Sequence, residues 1–456
     1  MKSQKFTIVL SIFLAAVMLL AACSPAATPV ATEVPPTEAP AVTEAPVTTE
    51  APVITEAPAT SKPEPITIQF WDGLGAPDNA EMQALVQQFN QENTDGITVV
   101  DTELDWNTLY SKILLDFKAG NPPDVVTLQQ TDILEEKGLG IIQPIDDLYK
   151  SVNIDPNDFM ETAWNGAQID GVQYAIPIDV HPIVLYINTD LYKAAGLDPN
   201  APPTNMDEFL NAAQKLTDKA KGVYGFGFGY NGGLPFRVWM SLVWQHKNGA
   251  ILTPDGTKAA FNSPEGIESL QFLHDLVYKY GVTPQGEQDI DTDFKQGKVA
   301  MVIEGPWEMA DFDTVNGLNY ITAEMPVFYD QKATWANSHT IAFPITNNPD
   351  KTMAAMKFAK FLIDHNFDWT KNTGHQPVLK SVMNSDAFKA LTNWQPIAAS
   401  VSFAHFYPAI PHEWEVFGRQ PTSPFVIMME SVMLDKATPK EAIATAESTI
   451  NDILSK

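Results

Sequence analysis

The chain is almost free of cysteine. Its 456 residues include one, Cys23. A disulfide needs two cysteines, so no disulfide forms within one chain, and the folded part must be stabilised by its own hydrophobic core. The chain also has no apolar run as long as a membrane-spanning helix, since its longest stretch, residues 6–20, is too short to span a bilayer comfortably.

Arginine is nearly absent as well. Among the 28 basic residues it occurs only as Arg237 and Arg419, and the formal net charge is −28. Arginine is the side chain best suited to a two-pronged grip on phosphate or carboxylate. Its scarcity and the acidic balance argue against nucleic acid as a partner and against a strongly anionic ligand. The excess of acidic residues is typical of a chain that is kept soluble by its charge.

Motifs of common enzymes and metal sites are missing. There is no Walker A and no GxSxG motif, and His412-Glu413 lacks the second histidine of HExxH because Val416 stands there. The acidic residues 289, 291 and 293 begin like an EF-hand, but Phe294 and Ala300 replace its glycine and glutamate. The sequence therefore predicts no catalytic residue, no cofactor and no metal site.

A glycine-rich run at residues 224–232 has the spacing GxGxxG at Gly227, Gly229 and Gly232. The glycines are interleaved with aromatic residues such as Tyr230, and no clear βαβ unit surrounds them, which argues against a dinucleotide site. We expect an exposed loop that contacts a ligand.

The N-terminus predicts export. Lys2 and Lys5 precede the apolar stretch 6–20, which ends in Leu20-Ala21-Ala22-Cys23. This ending resembles the lipobox of bacterial lipoproteins, in which the cysteine is acylated after cleavage. We expect residues 1–22 to be a signal peptide and Cys23 to anchor the protein to the membrane by lipid. The alternative is an ordinary signal peptide followed by an unrelated cysteine.

Residues 23–64 have the composition of a tether. The sequence Thr-Glu-Ala-Pro recurs every six residues at Thr37, Thr43, Thr49 and Thr55. A segment dominated by proline, alanine and threonine cannot bury a core, so we expect it to be disordered and to hold the folded part away from the membrane. An elastic or adhesive repeat is the alternative.

Apolar runs of strand length alternate with helical patterns from residue 65 onward. Strands are predicted at 66–70, 97–100 and 125–128, with helices between them. This alternation is typical of βαβ units and predicts an α/β fold. Trp71 and Asp72 follow the first strand and Gln129 follows the third, at the sheet edge where such folds bind ligands.

The central stretch is residues 171–190, where two apolar runs flank Asp179-Val180-His181-Pro182. Four residues with proline and without glycine make a poor hairpin turn. We therefore expect one extended segment that crosses between two lobes, with Asp179 and His181 facing the gap. The alternative is two adjacent strands joined by a tight solvated loop.

Several motifs resemble family 1 extracellular solute-binding proteins, in particular the multiple-sugar and maltodextrin-binding branch. They are the Ile-Pro-x-Asp-x-His-Pro segment at 176–182, Leu-Tyr-x-Asn at 185–188, Pro-Pro-Thr at 202–204, Phe-x-Ser-Pro-Glu-Gly at 261–266, Gly-Lys-x-Ala-Met at 297–301 with Trp307, Asn-Ser-His at 337–339, and Gly-His-Gln-Pro-Val at 374–378. The resemblance runs from about residue 66 to the C-terminus.

The resemblance implies a two-lobed periplasmic-binding-protein fold (type II-like), each lobe a mostly parallel sheet flanked by helices, with a cleft between lobes. We expect residues 65–180 and 341–377 in one lobe, and residues 181–340 and 378–456 in the other. The implied function is a substrate-binding protein that delivers a neutral saccharide to the permease of an ABC importer. We expect a monomer outside the cytoplasm, at the cell surface or in the periplasm.

A sugar needs aromatic faces for its C–H groups and polar side chains for its hydroxyls. The candidate ligand-binding residues are Trp71, Asp72, Gln129, Asp179, His181, Tyr230, Trp239, Trp244, Trp307, Trp335, Ser338, His339 and Gln376. Two alternatives stay open. One is a receptor for a polyol, a glycerol phosphate ester or a peptide. The other is a carbohydrate enzyme that uses two carboxylates such as Asp72 and Asp179.

Overall fold

The computed structural model describes residues 64–230, 232–286 and 289–456. The predicted signal peptide, the lipid attachment at Cys23 and the Thr-Glu-Ala-Pro tether lie outside the described residues. The described residues form one compact unit. Within the described residues, no helix is long and apolar enough to cross a membrane.

The chain alternates between helices and strands. The α-helices are α1 (Asp78–Glu92), α2 (Trp106–Lys118), α3 (Ile133–Gly138), α4 (Asp146–Ser151), α5 (Glu161–Gly166), α6 (Thr189–Ala194), α7 (Met206–Leu216), α8 (Leu234–Gln245), α9 (Pro264–Tyr278), α10 (Ile290–Lys295), α11 (Met309–Thr314), α12 (Pro349–Asp364), α13 (Asn366–Thr373), α14 (Lys380–Met383), α15 (Asp386–Lys389), α16 (Gln395–Ser400), α17 (Glu413–Phe417), α18 (Pro424–Met433) and α19 (Pro439–Leu454). Single 3₁₀ turns lie at Gln130–Asp132, Pro156–Asp158, Pro306–Glu308, Thr392–Trp394 and Val401–Phe403.

The strands are short. They are β1 (Ile66–Asp72), β2 (Ile97–Glu103), β3 (Val125–Gln129), β4 (Gln168–Ile169), β5 (Val172–Gln173), β6 (Ala175–Pro177), β7 (Asp179–Pro182), β8 (Val184–Asn188), β9 (Met301–Glu304), β10 (Tyr320–Ala323), β11 (Thr334–Asn337), β12 (His339–Ala342), β13 (Gln376–Pro377) and β14 (Ala404–His405). The three strands predicted at the start of the folded part are present, each longer than the pattern indicated by one to three residues.

The first lobe is the part built on a five-stranded sheet of order β2-β1-β3-β12-β6. The pairs β1–β2 and β1–β3 are parallel, as expected of βαβ units, whereas β12 runs antiparallel to β3 and β6. The sheet packs against α1 and α12 through an apolar core that includes Phe70, Phe89 and Phe358.

The second lobe is the part built on a three-stranded sheet of order β10-β8-β9. Both of its strand pairs are antiparallel, which differs from the mostly parallel sheet expected in each lobe. Its largest core lies beneath α7, α8, α9, α18 and α19 and includes Phe236, Trp239 and Phe425. These helices cover the sheet so that aromatic side chains fill the space between the layers.

The central stretch does run extended through its polar break. β6 pairs with β12 in the first lobe, β7 pairs with β11 and β13, and β8 pairs with β9 and β10 in the second lobe. The three consecutive strands therefore lie in three different sheets and do not pair with one another. The prediction of a crossing segment is confirmed, and the tight-loop alternative is wrong.

A small sheet of order β13-β7-β11-β14 lies at the junction of the two lobes. It contains the crossing strand β7, and β11 leads through Ser338 directly into β12 of the first lobe. β13 pairs with β7 at Gln376↔Val180. Three segments that are distant in sequence thus meet side by side where the lobes join.

Helix caps follow the sequence signals in part. Ser263 accepts from the backbone N–H of Gly266, and Thr438 forms the full capping box with Glu441. Asn205 caps α7 by accepting from the backbone N–H of Glu208. Asp78 is the first residue of α1 and does not cap it; its carboxylate lies 2.8 Å from Nε2 of His375.

The glycine-rich aromatic run is packed inside the second lobe rather than exposed. Phe226, Phe228 and Tyr230 are at most 3% exposed, and the Tyr230 hydroxyl donates to the carbonyl oxygen of Pro284. A Cβ at Gly225 would lie 1.9 Å from the carbonyl oxygen of Ala213. The glycine there permits close packing of two segments, so the expectation of an exposed ligand loop is corrected for these aromatics.

Candidate ligand-binding site

A cavity of about 560 Å³ opens where residues of both lobes face each other. This size lies within the roughly 300–1,000 Å³ typical of small-molecule sites. Its lining residues are Gly73, Leu74, Gly75, Ala76, Asp78, Glu103, Leu104, Asp105, Trp106, Asn107, Gln129, His181, Gly232, Gly233, Leu234, Arg237, Glu304, Trp307, His339 and Arg419. The first lobe contributes the loops after β1 and β2, and the second contributes the start of α8 and the turn after β9.

Two histidines of the lobe junction belong to the lining. His181 lies on β7 and His339 begins β12, and their ring centroids are 4.4 Å apart. The Nδ1 atoms of both rings lie against the carboxylate of Asp179, at 3.0 Å for His181 and 2.8 Å for His339. Asp179 itself is fully buried, so it orients the two imidazoles from beneath.

Each lobe provides one tryptophan to the cavity. Trp106 begins α2 after the cap Asp105, and its ring stacks 5.8 Å from that of His339, with 3° between the planes. Trp307 lies in the turn after β9, edge-on to His181 at 5.8 Å. Both indoles are only partly buried. Partly exposed aromatic rings on opposite lobes can cover the apolar C–H surface of a ligand.

Both arginines of the chain line this cavity. Arg237 lies on α8, with its Cζ atom 4.0 Å from the ring centroid of Trp335, and its Nε–H donates to the Tyr407 hydroxyl at 3.2 Å. Arg419 follows α17, and a Cβ at Gly233 would lie 2.8 Å from its side chain and 3.3 Å from Cζ of Arg237. The glycine therefore lets the start of α8 pack closely against both side chains.

Neither guanidinium forms an ion pair with a carboxylate of the described residues. In the described part of the chain, every ion pair has lysine or histidine as its basic partner. Burial lowers the pKa of Arg419 to about 10. Burial and the neighbouring Asp132 raise the pKa of Glu413, which lies on α17 before Arg419, well above its usual range. The cavity thus holds two partly buried positive charges.

The acidic lining residue Glu304 behaves differently from an ordinary surface glutamate. It is 5% exposed at the end of β9, and its carboxyl accepts from the backbone N–H of Gly305 at 2.7 Å. Burial, together with the charges of Asp291 and Glu308, raises its pKa well above the usual range. The raised pKa makes the protonated carboxyl, which can donate a hydrogen bond, more favourable here than at an exposed glutamate.

Gln129 offers an acceptor on the opposite side. It ends β3, and its Oε1 atom is buried without a hydrogen-bond partner among the described residues. A buried polar atom without a partner is costly, and a ligand hydroxyl at this position would satisfy it. Together, Gln129, Glu304 and the two histidines supply hydrogen-bonding groups around the tryptophans.

Four of the thirteen candidate residues line the cavity, namely Gln129, His181, Trp307 and His339. Asp179 lies directly beneath the two histidines. The remaining eight are at most 9% exposed and lie outside the lining: Trp71, Asp72, Tyr230, Trp239, Trp244, Trp335, Ser338 and Gln376.

The candidates outside the lining have other partners. Trp71 lies under the amine of Lys112, 4.1 Å away, and Trp239 donates to the carbonyl oxygen of Gly266 within the second core. Trp244 stacks on His405. Trp335 supports Arg237 from behind the cavity. These tryptophans stabilise the lobes. The number of tryptophans in the sequence therefore did not indicate which of them line the cavity.

The sequence reasoning missed Trp106, both arginines and Glu304. Trp106 follows the N-cap Asp105 just beyond the carboxyl end of β2, and this position at the ligand-binding edge of the sheet was a usable signal. The argument from composition considered how few arginines the chain has and not where they lie in the fold. Their convergence depends on the packing of α8 against the segment after α17, which no local pattern reveals.

Solved structures resemble this fold. A solute-binding protein of an ABC transporter from Thermotoga lettingae, solved with alpha-D-tagatose, is 26% identical with a TM-score of 0.75, covering 85% of this chain and 100% of that one. The substrate-binding protein Lmo0181 from Listeria monocytogenes, solved with cycloalternan, is 23% identical with a TM-score of 0.74, covering 86% and 100%.

Sequence comparison finds the same class. The sn-glycerol-3-phosphate-binding periplasmic protein UgpB of Escherichia coli strain K12 is 27% identical over 412 residues, which is 85% of this chain and 92% of UgpB. Residues 75–365 match the family described as bacterial extracellular solute-binding protein. The two lobes, the crossing strands and the cavity between the lobes agree with that match, and the chain belongs to the bacterial extracellular solute-binding protein family.

Proposed function

We propose that the protein is the receptor of an ABC importer for a neutral saccharide, which it binds in the cavity between its lobes and delivers to a membrane permease. The observation that carries this proposal is the pairing of Trp106 and Trp307, one from each lobe, around a rim of hydrogen-bonding groups. A sugar ring presents apolar faces and a hydroxyl rim, and this arrangement complements both. Binding of this kind requires no catalytic residue, and we propose that the protein binds the saccharide without converting it.

The rim has a defined donor and acceptor pattern. Gln129 Oε1 accepts from a ligand hydroxyl, and the guanidiniums of Arg237 and Arg419 donate to ligand oxygens. Because these groups come from both lobes, only the closed form makes all of the contacts, and ligand binding favours closure. A micromolar dissociation constant, about −8 kcal/mol, is sufficient for such a receptor.

The rest of the expected organisation belongs to the same proposal. Acylation at Cys23 would anchor the monomeric protein outside the cytoplasm, with residues 24–64 as the tether. Residues 65–180 and 341–377 would form one lobe, and residues 181–340 and 378–456 the other. The distribution of the apolar cores supports that division.

A glycerol phosphate ester is the second candidate ligand. It is favoured by the two unneutralised arginines at the cavity, and the UgpB relatives are named for glycerol 3-phosphate. The scarcity of arginine argued against an anion, but that argument loses its force when both arginines face the same cavity. The neutral saccharide remains the first candidate because the aromatic pair has no role in holding a phosphate.

The experiment that decides is a thermal-shift screen of the purified protein against monosaccharides, oligosaccharides, polyols, glycerol 3-phosphate and glycerophosphodiesters. A ligand that binds the folded state raises Tm by mass action. Calorimetry on Arg419→Gln follows with the best ligand. A saccharide should bind the variant within about tenfold of wild type, whereas a phosphate ester should lose at least about 100-fold, as expected for a charged hydrogen bond. The absence of a thermal shift with every compound would overturn the proposal.

A further inference from the structure

Four ionisable side chains meet in the interior of the lobe junction, beneath the cavity. They are Asp179, His181, His339 and His375, and each is at most 5% exposed. One nitrogen or oxygen of each lies within 4.8 Å of that of every other member. Three imidazoles and a carboxylate withdrawn from water demand either a complete hydrogen-bond network or a cation.

The hydrogen-bond network is incomplete. Nδ1 of His181 and of His339 lie 3.0 and 2.8 Å from the Asp179 carboxylate, but Nδ1 of His375 lies 3.6 Å from it. This last nitrogen is buried and has no hydrogen-bond partner among the described residues. Nδ1 of His375 therefore lies near the Asp179 carboxylate without forming a hydrogen bond to it. A nitrogen that binds a shared metal ion together with that carboxylate would be placed in the same way.

The spacing of the three rings suits a metal ion. Their centroids are 4.4, 5.2 and 5.3 Å apart. Two imidazoles on one tetrahedral zinc have centroids roughly 5 Å apart, which follows from Zn–N bonds of ~2.0–2.1 Å. Three imidazole nitrogens with one carboxylate oxygen also form a donor set that favours zinc over calcium or magnesium.

The outer partners match those of a metal site. The Asp179 carboxylate accepts from the His339 backbone N–H at 2.9 Å and from Nε1–H of Trp369 at 3.0 Å. Nε2 of His375 lies 2.8 Å from the carboxylate of Asp78. A carboxylate on the far nitrogen of a histidine, and hydrogen bonds to the liganding carboxylate, are the devices that orient metal ligands in proteins.

We propose that Asp179, His181, His339 and His375 bind one Zn²⁺ ion at the junction of the two lobes. Asp179 and His181 lie on β7, His339 begins β12, and His375 immediately precedes β13. The ion ties together the three segments that connect the lobes, so it stabilises the junction and fixes the two imidazoles that line the cavity. This site is independent of which solute the cavity binds.

The test uses the purified protein without a polyhistidine tag. Metal content is measured by mass spectrometry, and Tm is measured before and after chelation and after one equivalent of Zn²⁺. The proposal predicts one zinc per chain, a lower Tm after chelation and its recovery with zinc. X-ray absorption is expected to give nitrogen and oxygen neighbours at ~2.0–2.1 Å. A protein that contains no zinc, takes up none after chelation and keeps its Tm would overturn the proposal.

Two matched variants locate the ion. His375→Gln is expected to lower zinc affinity at least about 100-fold, the upper range seen even for outer partners of metal ligands. His274→Gln is the control, because His274 lies near Asp275 and Asp435 on the surface of the second lobe. Loss of zinc from His274→Gln with retention in His375→Gln would contradict the assignment. If His375→Gln fails to fold, the zinc content and absorption spectrum of wild type decide alone.

Discussion

The guanidinium of Arg237 lies 4.0 Å from the centroid of the Trp335 ring. Trp335, which was expected to contact the ligand, therefore supports a charged group of the cavity wall. Trp335 is 1% exposed, whereas Arg237 lines the cavity. Stacking of this kind fixes the plane of a guanidinium and leaves its edge free for hydrogen bonds. The cavity wall therefore depends on buried residues behind it as well as on the residues that line it.

The contact between Gly73 and Trp106 gives a direct test of the first-lobe wall. A Cβ at Gly73 would lie 2.4 Å from the indole of Trp106, so Gly73→Ala must displace that ring. We expect ligand affinity to fall about tenfold, the cost of losing part of an aromatic contact worth ~1–1.5 kcal/mol. Calorimetry with the best ligand of the screen measures this.

Gly75→Ala is the matched control for that substitution. Gly75 lines the same cavity two residues later, but a Cβ there would meet nothing within 4 Å. We expect its affinity to stay within about twofold of wild type, since no contact is lost. Equal affinities for the two variants would show that the indole position does not matter for binding.

Asp179→Asn should destabilise the junction of the lobes. The carboxylate accepts from the His339 backbone N–H and from Nε1–H of Trp369, and two imidazoles lie against it. An amide replaces one acceptor with a donor and leaves buried groups unsatisfied, which costs about 3–5 kcal/mol for a buried charged partner. Chemical denaturation measures the free energy of unfolding. An unchanged midpoint would remove Asp179 from its central place in the junction.

Glu136 makes the stability of the first lobe depend on pH. It is 4% exposed on α3, and burial, then the charges of Asp132 and Glu135, raise its pKa from 4.5 to about 8. The unfolded chain loses this proton near pH 4.5, but the folded chain keeps it until about pH 8. The free energy of unfolding therefore falls as pH rises from 4.5 to 8.

Glu136→Gln should abolish this part of the pH dependence. Compared with wild type, the variant should gain stability on the order of 4 kcal/mol between pH 4.5 and pH 8, because glutamine carries no titratable proton. Urea denaturation at both pH values measures the difference. Glu161→Gln, at an exposed position, is the control and should follow the wild-type curve. Parallel curves for Glu136→Gln and wild type would contradict the account.

Local patterns predicted the path of the chain better than the composition of the site. The periodicity of residues 66–128 and the polar break at Asp179 led to the correct strands and to the crossing between lobes, because both depend on neighbouring residues. The face on which a tryptophan lies depends on distant packing. Trp239 is buried on α8 beneath α9, whereas Trp307 is only partly buried because the turn after β9 places it at the cavity.

The histidines illustrate the same limit. His181 and His339 were predicted to contact ligand from their motifs. His375, immediately before β13, was not among the candidates, although it joins them in one cluster. The pairing of β13 and β11 with β7 brings these three segments together. Their register depends on strands that are far apart in sequence, so local patterns do not reveal it.

The most direct test of the account is calorimetric titration of wild type and of the double variant Trp106→Ala/Trp307→Ala with the saccharide that gives the largest thermal shift. The account predicts a micromolar Kd for wild type and a loss of at least about 100-fold for the double variant, because each lobe then lacks its aromatic face. Binding by the double variant at the wild-type Kd, or no saccharide binding by wild type, would contradict it.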